Sequence, residues 1–465
     1  MDRHVVCIVC DFFYPRLGGV ELHIWSLSQC LMKEGHKVVV VTHAYGERRG
    51  VRFMSCGLKV YYLPLVPMVE QDAFPTLCAW LPLFRHILVR EGITIVHGHQ
   101  ATSCMSNEAL LFARTLGYHA CYTDHSLFGF ADAGSIHINK VLEFTLSDVD
   151  AAICVSNACR ENLLQRASLP PEMVHTIPNA IDPTRFLPCD ASSRTALNAS
   201  GRVVVVVLSR LVHRKGTDLL ARVIPQVCAM HSTVDFLVGG DGPKKVLLQE
   251  MCEQHGLHDR VELLGSVPHD QVRDLLVRGH IFLNCSLTES FCIAIVEAAC
   301  CGLFVVSTRV GGVVEVLPQS MTMLCEPDVD ALSRTIIAAI PTALAVDPAK
   351  QHERVRRMYD WRDVCTRTLD VYDAISRKPI PSIIKRLRRY QTAGPIAGVL
   401  FCFVAVALSL LVHILEYFDP KDSIDRAMDW TPQNSCGGNN SRRHNKQNVG
   451  AQIDSGRKQS ATRST

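Results

Sequence analysis

Short apolar runs rich in valine and isoleucine alternate with longer amphipathic segments throughout residues 1–375. Residues 5–10 and 203–208 are typical runs, and segments with apolar residues at helical spacing, such as 20–34 and 218–230, lie between runs of this kind. Fully apolar strands that alternate with helices are typical of parallel sheets with both faces covered. The pattern therefore predicts an α/β fold.

The predicted strands form two groups, which are separated by residues 177–201. This segment contains prolines and serines, as linkers commonly do. We therefore predict two Rossmann-like domains, the first over residues 1–185 and the second over residues 186–376. Ligands bind such sheets at the carboxyl ends of the strands, so the predicted binding site lies in the cleft between the two domains.

The C-terminal part begins with a basic segment, residues 377–393, which is followed by 22 residues without a formal charge, 394–415. As a helix, this stretch measures roughly 33 Å, enough for a hydrocarbon core of about 30 Å. Basic residues precede it and acidic residues follow it, which predicts residues 1–393 on the cytosolic side. The tail, residues 416–465, is then luminal. We also expect it to be disordered, because it is polar and rich in glycine, serine and asparagine.

Two details of this part bear on the membrane. The basic segment is suited to contact with anionic lipid headgroups. The triplet at residues 439–441 is of the glycosylation-acceptor type, and it can be modified only if the tail is luminal.

Composition excludes other classes of protein. The formal net charge is +3, which gives no reason to expect nucleic acid as a partner. The 20 cysteines are scattered through apolar strands and no signal peptide is predicted, which indicates buried reduced thiols rather than a disulfide framework. Cys7 and Cys10 have C-x-x-C spacing within one apolar strand. Because no second pair stands at a zinc-like distance, we expect them to serve packing.

Two loops at predicted strand ends carry residues suited to phosphate. Gly18 and Gly19 follow the first strand and open a helix, where the backbone can approach a ligand and free N–H groups can face an anion. Arg210 and Lys215 follow the first strand of the second domain, just before a helix. A guanidinium fork and an ammonium group together suit a diphosphate. The alternatives are an ordinary tight turn and a solvated basic loop.

Glu289 and Glu297 form an E-x7-E motif. On one continuous helix their side chains would lie about 80° apart, so we predict Glu289 in the loop before a helix and Glu297 on its first turns. The helix start near Phe291 and Cys292 then offers amide groups to a phosphate, while both acids accept hydrogen bonds from hydroxyl groups. The alternative is a solvent-facing pair of glutamates, although the residues between them are apolar.

Further polar residues and glycines stand at predicted strand ends. Thr123 ends a strand of the first domain and leads to Asp124 and His125, which we expect at the cleft. A histidine there can hydrogen-bond a substrate or carry a proton, and a purely structural histidine is equally consistent with the sequence. Glycine-rich loops at 238–243 and 308–312 follow strands of the second domain.

Motifs of several other enzyme classes are missing from the sequence. No G-x-G-x-x-G follows a predicted strand, which disfavours a hydride-transfer dehydrogenase, and no G-x-x-x-x-G-K-[ST] is present, which disfavours a P-loop NTPase. Two D-x-D pairs, at 148–150 and 328–330, look like metal motifs. The first leads into a strand and the second opens a helix, where acids cap the dipole. We interpret both as structural and predict no metal and no cofactor.

These motifs resemble those of the retaining glycosyltransferases of the GT-B fold that carry an E-x7-E motif. Longer segments are similar to a narrower family, the catalytic subunits of phosphatidylinositol N-acetylglucosaminyltransferase, the enzyme that begins glycosylphosphatidylinositol anchor synthesis. The segments that carry this likeness are TDHSLFGFAD at 123–132, SRLVHRKGTDLL at 209–220, GGDGPK at 239–244, ESFCIAIVEAACCG at 289–302 and STRVGGVVEVLP at 307–318. The resemblance covers about residues 4–375, and a single C-terminal span also fits the family.

The resemblance implies a first domain for the acceptor and a second domain for the nucleotide sugar. Within the site, it implies that Arg210 and Lys215 grip the diphosphate, that Glu297 binds the ribose hydroxyls and that Glu289 binds the sugar. The full donor-binding set that it implies is Gly18, Gly19, Arg210, Lys215, Glu289, Phe291, Cys292 and Glu297.

On the acceptor side, the resemblance places His125 near the reacting centre and Asp124 beside the acceptor. The catalytic residues that it implies are Glu289, His125, Arg210 and Lys215. It also implies that residues 361–372 lie in a last helix that crosses back to the first domain. The chain departs from the wider family at Cys292, where glycine is common, and at Val314, where we expect proline.

The implied reaction transfers N-acetylglucosamine from UDP-N-acetylglucosamine to phosphatidylinositol with retention, by front-face attack and without a metal. The implied setting is the endoplasmic reticulum membrane, with one span, cytosolic catalytic domains and further subunits of a complex as partners. Two alternatives stay open at this point. One is another GT-B retaining enzyme, such as a lipid mannosyl- or glucosyltransferase, and the other is a non-catalytic scaffold subunit with the same fold.

Overall fold

Two sheets lie at the centre of the computed structural model, which describes residues 3–69 and 71–428. The strands of the N-terminal half are β1 (Val5–Val9), β2 (Lys37–His43), β3 (Gly50–Phe53), β4 (Lys59–Leu63), β5 (Pro67–Val69), β6 (Asp72–Ala73), β7 (Ile95–His99), β8 (His119–Asp124), β9 (Ala151–Cys154) and β10 (Val174–Thr176). Those of the C-terminal half are β11 (Val203–Leu208), β12 (Val234–Gly239), β13 (Val261–Gly265), β14 (Ile281–Asn284), β15 (Phe304–Thr308) and β16 (Thr322–Cys325).

Helices connect these strands and cover the sheets. They are α1 (Gly19–Lys33), α2 (Leu81–Glu91), α3 (Cys104–Thr115), α4 (Ala133–Leu146), α5 (Asn157–Ala167), α6 (Ala191–Ala199), α7 (Thr217–Met230), α8 (Lys245–His255), α9 (Val272–Leu276), α10 (Ile293–Cys300), α11 (Val313–Val316), α12 (Val329–Leu344), α13 (Pro348–Met358), α14 (Trp361–Ser376), α15 (Ile383–Gln391) and α16 (Ala397–Phe418).

The first sheet has the order β10-β9-β8-β7-β1-β2-β4-β3, and β1 lies between β2 and β7 with parallel pairing on both sides. Its buried valines and isoleucine are covered on both faces, as fully apolar parallel strands require. Cys7 belongs to the apolar core on one face of the sheet and Cys10 to the core on the other. The prediction that this C-x-x-C pair serves packing is therefore confirmed.

The second sheet has the order β13-β12-β11-β14-β15-β16, and its recorded pairings are all parallel. Two sheets flanked by helices, parallel except for the antiparallel edge strand β3 of the first, confirm the predicted α/β fold with two Rossmann-like sheets. The predicted domain boundary at residues 185 and 186 falls between β10 and β11. This boundary stays a prediction.

The chain returns to the first sheet after completing the second. Helix α14 packs against α1, and the Asp373 carboxylate of α14 lies 2.7 Å from His4 Nε2. Just before α14, Asp360 forms an isolated parallel bridge with Ile181 of the outgoing connection. The last helix that the resemblance implied is therefore present, and the outgoing and returning segments are paired with each other.

The two D-x-D pairs have structural roles, as interpreted from the sequence. Asp148 accepts hydrogen bonds from Arg386 at 2.5 Å and from Arg389 at 3.1 Å. Asp328 caps α12 by accepting a hydrogen bond from the Ala331 N–H group at 3.0 Å. Their carboxylates are therefore occupied by protein groups.

Helix α16 is the one unbroken helix, among the described residues, that is long and apolar enough to cross a membrane. Its bounds lie three residues beyond the predicted stretch 394–415. Part of the basic segment before it does not face outward, because Arg386 is buried against Asp148. The expectation that this segment contacts lipid is therefore wrong for Arg386.

The chain divides into a unit over residues 1–426 and a short unit over residues 427–465, of which residues 427 and 428 are described. The acceptor-type triplet at 439–441 and most of the predicted luminal tail lie outside the described residues.

Candidate active site

The carboxyl ends of the strands of the two sheets face each other across a cleft, and hydrogen bonds join the opposing loops. The Ser290 hydroxyl, in the loop before α10, donates to the backbone oxygen of His125, directly after β8, at 2.5 Å. The Glu315 carboxylate of α11 accepts hydrogen bonds from the N–H groups of Asn157 and Ala158 at the start of α5, each at 2.8 Å. The E-x7-E loop and the His125 loop therefore meet.

Lys215 and Glu289 meet on the second sheet's side of this cleft. The Lys215 ammonium group forms an ion pair with Glu289 Oε1, which also accepts a hydrogen bond from the Ser286 hydroxyl at 2.8 Å. The neighbouring Gly216 has a φ of +73°, and a Cβ there would lie 1.8 Å from the Cys285 carbonyl oxygen. Only glycine fits this close approach, which brings the cationic loop against the acidic loop.

The two acids of the E-x7-E motif occupy the predicted positions, with Glu289 in the loop and Glu297 on the second turn of α10. Cys292 caps α10 with a φ of +68°, a left-handed conformation that favours glycine and explains why glycine is common at this position in the wider family. Glu297 is buried. Burial raises the pKa of Glu297 to about 7, and the positive charge of Arg185 partly opposes this rise.

Two further features support the E-x7-E loop from behind. The Gly312 N–H group donates to the Glu289 carbonyl oxygen at 2.9 Å, and a Cβ on Gly312 would lie 2.0 Å from the Ser290 carbonyl oxygen. The side chain of Phe291 is buried, and its ring centroid lies 5.6 Å from that of Tyr359. Phe291 therefore holds the loop in the core, and its side chain does not line the cleft.

Gly18 and Gly19 stand at the start of α1, on the first sheet's side. A Cβ on Gly18 would lie 2.6 Å from Glu21 Oε2, whereas the space around Gly19 is open. Glu21 is buried, and burial raises the pKa of its carboxyl group, although the positive charges of Arg16 and Arg210 act in the opposite direction. Arg210 is exposed and belongs to the second sheet's side, so its charge reaches the acid of the Gly-Gly loop across the cleft.

Three histidines from separate elements form a cluster beneath this opening. His99 Nδ1 lies 3.1 Å from His125 Nε2, and the ring centroids of His23 and His125 are 4.7 Å apart. His23 Nδ1 is 2.8 Å from Asn179 Oδ1. Burial lowers the pKa of each of these three imidazoles, so they are neutral at physiological pH. His125 is therefore held in place by a neighbour that hydrogen-bonds its ring.

Among the described residues, this cluster is also the group that could hold a metal ion, because its ligand atoms lie within 4.8 Å of one another. Neutral imidazole nitrogens are good ligands for transition metals. All three rings already use a nitrogen within the protein, His99 and His125 toward each other and His23 toward Asn179. The expectation of a metal-free site stays a prediction.

A fourth histidine connects this cluster to the returning helix. His97 Nδ1 lies 2.6 Å from the Tyr372 hydroxyl of α14, and His97 Nε2 lies 2.7 Å from the Thr123 hydroxyl. The ring centroids of His97 and His99 are 4.2 Å apart. The returning helix α14 thus packs directly against the floor of the site.

Asp124 does not join the cleft. Its carboxylate is fully buried and forms an ion pair with Arg166, and the Tyr122 hydroxyl donates to it at 3.3 Å. Burial raises the pKa of Asp124, while the Arg166 charge opposes the rise. The expectation of an acceptor-side contact does not agree with this position, because the Asp124 carboxylate is enclosed in the interior and paired with Arg166.

The structure thus brings Lys215, Glu289 and the backbone of His125 together and leaves Asp124 and the Phe291 side chain in the interior. Three residues of the site, Glu21, His23 and His99, were not predicted from the sequence. Their signals were weak but present, since Glu21 and His23 stand two and four residues after Gly19 and His99 stands two residues after the apolar run 94–97, a predicted strand.

Two family models match the chain. The model of PIGA, described as GPI anchor biosynthesis, matches residues 43–132, and the model of glycosyl transferases group 1 matches residues 190–354. The first match runs from the last residue of β2 through β3 to β8 and includes the His125 loop. The second covers nearly all of the second sheet, including Lys215 and the E-x7-E motif.

Relatives match over nearly the whole chain. A protein of Arabidopsis thaliana named as a phosphatidylinositol N-acetylglucosaminyltransferase subunit is 54% identical over 91% of this chain and 94% of its own length. The human protein with the same name is 48% identical over 94% of this chain and 90% of its own length. In Schizosaccharomyces pombe, the gpi3 subunit of the enzyme so named is 49% identical over 91% of this chain and 92% of its own length. All three alignments therefore extend well beyond the catalytic motifs.

Solved structures agree with the fold. A sucrose-phosphate synthase from Thermosynechococcus elongatus superimposes with a TM-score of 0.68 at 20% identity and covers 80% of this chain and 99% of its own. The Anabaena protein HepE in complex with UDP and glucose superimposes with a TM-score of 0.62 at 18% identity, over 80% of this chain and 100% of its own. Together with the relatives, these matches show that the chain is a glycosyltransferase of the GT-B fold and belongs to the PIGA/GPI3 family of phosphatidylinositol N-acetylglucosaminyltransferase subunits.

Proposed function

We propose that this chain transfers N-acetylglucosamine from UDP-N-acetylglucosamine to an inositol hydroxyl of phosphatidylinositol, in the cleft between its two sheets, as the first step of GPI anchor synthesis. The names of its relatives support the donor sugar and the lipid acceptor. The observation that carries the catalytic proposal is the contact between the Ser290 hydroxyl and the His125 backbone oxygen. This contact holds the loop of Glu289, which is paired with Lys215, against the His125 loop of the first sheet's side.

In the proposed complex, Arg210 and Lys215 hold the diphosphate of the donor. A guanidinium fork and a point charge suit its oxygens. The open space beside Gly19, on the first sheet's side, leaves room for the donor. Lys215 is paired with Glu289 before the donor arrives, so its position is already fixed. Preorganised charge of this kind stabilises a leaving group without reorganisation during the reaction.

In this proposal, the two acids of the E-x7-E motif bind different groups of the donor. Glu289 binds sugar hydroxyls, and Glu297 binds the ribose. With a pKa of about 7, Glu297 exists in both protonation states near neutral pH, so it can donate as well as accept a hydrogen bond. The backbone amides at Phe291 and Cys292, at the start of α10, face the phosphate.

The proposed reaction retains the configuration at C1 of the sugar. An inositol oxygen attacks C1 from the face that the diphosphate leaves, the bond from C1 to the phosphate oxygen breaks, and the inositol proton passes to that oxygen. His125 lies near the reacting centre as a neutral imidazole, suited to a hydrogen bond with the substrate. Arg210 and Lys215 supply the positive charge that the departing UDP needs.

The proposed location is the endoplasmic reticulum membrane, with α16 as a single span and the two sheets in the cytosol. A cytosolic site fits a nucleotide-sugar donor. The relatives are named as subunits, which supports partners in a multi-protein complex. A tag after residue 465 tests the orientation, because it is protected from protease in sealed microsomes only if the tail is luminal.

The activity test uses membranes that carry the chain with its partner subunits, labelled UDP-N-acetylglucosamine and phosphatidylinositol. We expect a labelled glycolipid that disappears in Glu289→Ala and persists in Glu262→Ala, a surface control whose acid is half exposed. Transfer from GDP-mannose or UDP-glucose instead would move the enzyme elsewhere in the GT-B group. No transfer from any donor would indicate a scaffold subunit.

A further inference from the structure

Helix α5, on the first sheet's side of the cleft, is capped in part by the other side. The first N–H groups of a helix have no acceptor within it, so they need a side chain or water. The Ser156 hydroxyl accepts a hydrogen bond from the Cys159 N–H group at 3.0 Å. The two N–H groups between them, of Asn157 and Ala158, donate to Glu315. A carboxylate from the second sheet's side thus completes the cap of a helix on the first.

The Glu315 carboxylate uses both of its oxygens in this contact. Oε2 accepts from the Asn157 N–H group and Oε1 from the Ala158 N–H group, each at 2.8 Å. The start of a helix also carries a partial positive charge of about half a unit, which attracts an anion. Two charge-assisted hydrogen bonds from adjacent donors fix the direction of a carboxylate as well as its position. The contact therefore joins the two sides of the cleft in one defined orientation.

On the second sheet's side, Glu315 is joined to the E-x7-E loop by a short stretch of backbone. It lies on α11, a helix of four residues that begins directly after Gly312. The Gly312 N–H group donates to the Glu289 carbonyl oxygen at 2.9 Å, and a Cβ on Gly311 would lie 2.2 Å from the same oxygen. Because the backbone is in such close contact here, a displacement of Glu315 displaces the Glu289 loop as well.

On the first sheet's side, α5 is joined to the His125 loop. Arg166, near the end of α5, forms an ion pair with the buried Asp124 carboxylate. Cys159, in the first turn of α5, has its Sγ 3.6 Å from the Asp124 carbonyl oxygen. Asp124 directly precedes His125. The position of α5 therefore determines where the His125 loop lies.

The contact of Glu315 with α5 thus connects the two loops that carry the proposed chemistry. We propose that Glu315 is a positioning residue of the transfer reaction, which holds the Glu289 loop at its working distance from His125 before the donor binds. Glu315 contacts no reacting atom and acts through α5 and α11. The inference rests on the proposed function, since it takes these two loops as the site of transfer.

A preformed arrangement of the two sides raises the affinity for a ligand that binds between them. When only a fraction of the molecules has the binding arrangement, the apparent dissociation constant is the intrinsic value divided by that fraction. Saturating donor bridges the two sides and restores the arrangement, so loss of the contact raises the KM for the donor rather than lowering kcat. Removal of a capping side chain typically shifts such an equilibrium by about fivefold.

The test measures transfer by the full chain with its partner subunits at varied concentrations of UDP-N-acetylglucosamine. For Glu315→Ala, we expect about a fivefold rise in the KM for the donor, with kcat within about twofold of wild type. The matched control is Asp328→Ala, which removes a cap within the second sheet's side, where Asp328 accepts from the Ala331 N–H group at 3.0 Å. It should keep the wild-type KM. An unchanged KM in Glu315→Ala, or equal rises in both variants, would overturn the proposal.

A substitution on the other side of the contact tests the same link without changing the acid. Asn157→Pro removes one of the two N–H donors, but proline is favoured at the first position of a helix. The extended backbone of Ser156, with φ of −158° and ψ of 166°, also suits the residue before a proline. We expect about a twofold rise in the donor KM. Added to Glu315→Ala, Asn157→Pro should cause no further rise, because the acceptor is already missing, and additive rises would reject the proposal.

A second measurement does not depend on catalysis. The N–H groups of Asn157 and Ala158 should exchange with deuterium more slowly in wild type than in Glu315→Ala, because the carboxylate protects them, and Asp328→Ala should exchange them as wild type does. Equal exchange in wild type and Glu315→Ala would show that the contact does not form in solution and would overturn the proposal. A wild-type chain without transfer activity would contradict the proposed function, while the exchange rates would still decide whether the contact exists.

Discussion

Two acid–cation pairs follow strands on opposite sides of the cleft, and they differ in their access to solvent. Asp124 and Arg166 are both 0% exposed, whereas the side chains of Glu289 and Lys215 are 10% and 21% exposed. The first pair satisfies two charges inside the protein and has no route to a ligand. The second pair keeps an open side toward the cleft. The same chemistry therefore supports the fold in one place and offers a ligand site in the other.

The largest effect that follows concerns the buried pair. Asp124→Ala leaves the Arg166 guanidinium buried without its counter-charge, so we expect a loss of about 3–5 kcal/mol in the free energy of unfolding. Chemical denaturation of the solubilised chain measures it. In Asp124→Leu combined with Arg166→Met, no charge is left uncompensated, and most of the stability should return. A single variant as stable as wild type would show that this pair is not a structural support.

The open pair should behave in the opposite way. Lys215→Ala removes a cation that we assign to the diphosphate, and we expect a fall of about 10²–10³ in kcat/KM with little change in melting temperature. Steady-state transfer assays and thermal melts of the same preparation separate the two quantities. Lys245→Ala, on a helix of the same sheet, is the control and should keep its activity. A melting temperature that falls together with activity in Lys215→Ala would contradict the contrast between the pairs.

The buried carboxyl group of Glu297, in the cleft, makes the stability of the folded chain depend on pH. Glu297 has a pKa of about 7 in the folded chain, against a usual value of 4.5. Between these values the unfolded chain has released a proton that the folded chain keeps, so stability falls as pH rises and the loss is complete above pH 7. The interval of about 2.5 pH units corresponds to at most about 3 kcal/mol.

Unfolding measured between pH 5 and 8 should therefore show a smaller decline in Glu297→Gln than in wild type, since the amide does not titrate. Glu315→Gln, whose carboxylate lies elsewhere in the cleft, should keep the wild-type slope. Identical slopes in wild type and Glu297→Gln would mean that the carboxyl group ionises normally in the folded chain.

The smallest expected effect tests the histidine cluster. His99→Phe keeps a ring of similar shape but removes the hydrogen bond to His125 Nε2, and we expect kcat to fall about tenfold while the KM for the donor changes little. His97→Phe is the matched variant, because His97 contacts Tyr372 and Thr123 instead of His125. It should lower stability without changing the kcat of the folded enzyme. Equal effects of the two variants would assign His99 a purely structural role.

Much of this fold could be predicted from the sequence, because buried parallel strands are marked by continuous apolar residues. The predicted run 203–208 agrees with β11 to the residue. Strand β3 and the hairpin of β5 and β6 were not predicted. They are short and exposed, so their formation depends on contacts with β4 and with buried acids rather than on a local pattern.

The site was predictable where its residues are close in sequence. The positions of Glu289 and Glu297 followed from helical geometry. The histidine cluster did not, because His23, His99 and His125 come from a helix and two strand ends that meet only in the folded chain. Asp124 was misplaced although its sequence neighbour His125 was expected at the cleft, because its buried partner Arg166 lies 42 residues further along the chain and no local pattern links the two.

The pairing of Ile181 with Asp360 has a mechanical consequence. The segment that leaves the first sheet and the segment that returns to it are paired side by side. The two connections between the sheets therefore lie next to each other. A joint of this kind permits the two halves to swing about a common axis and resists sliding or separation. A protease cut in the outgoing connection alone would leave the halves attached through the returning one, with α14 still holding the floor of the histidine cluster.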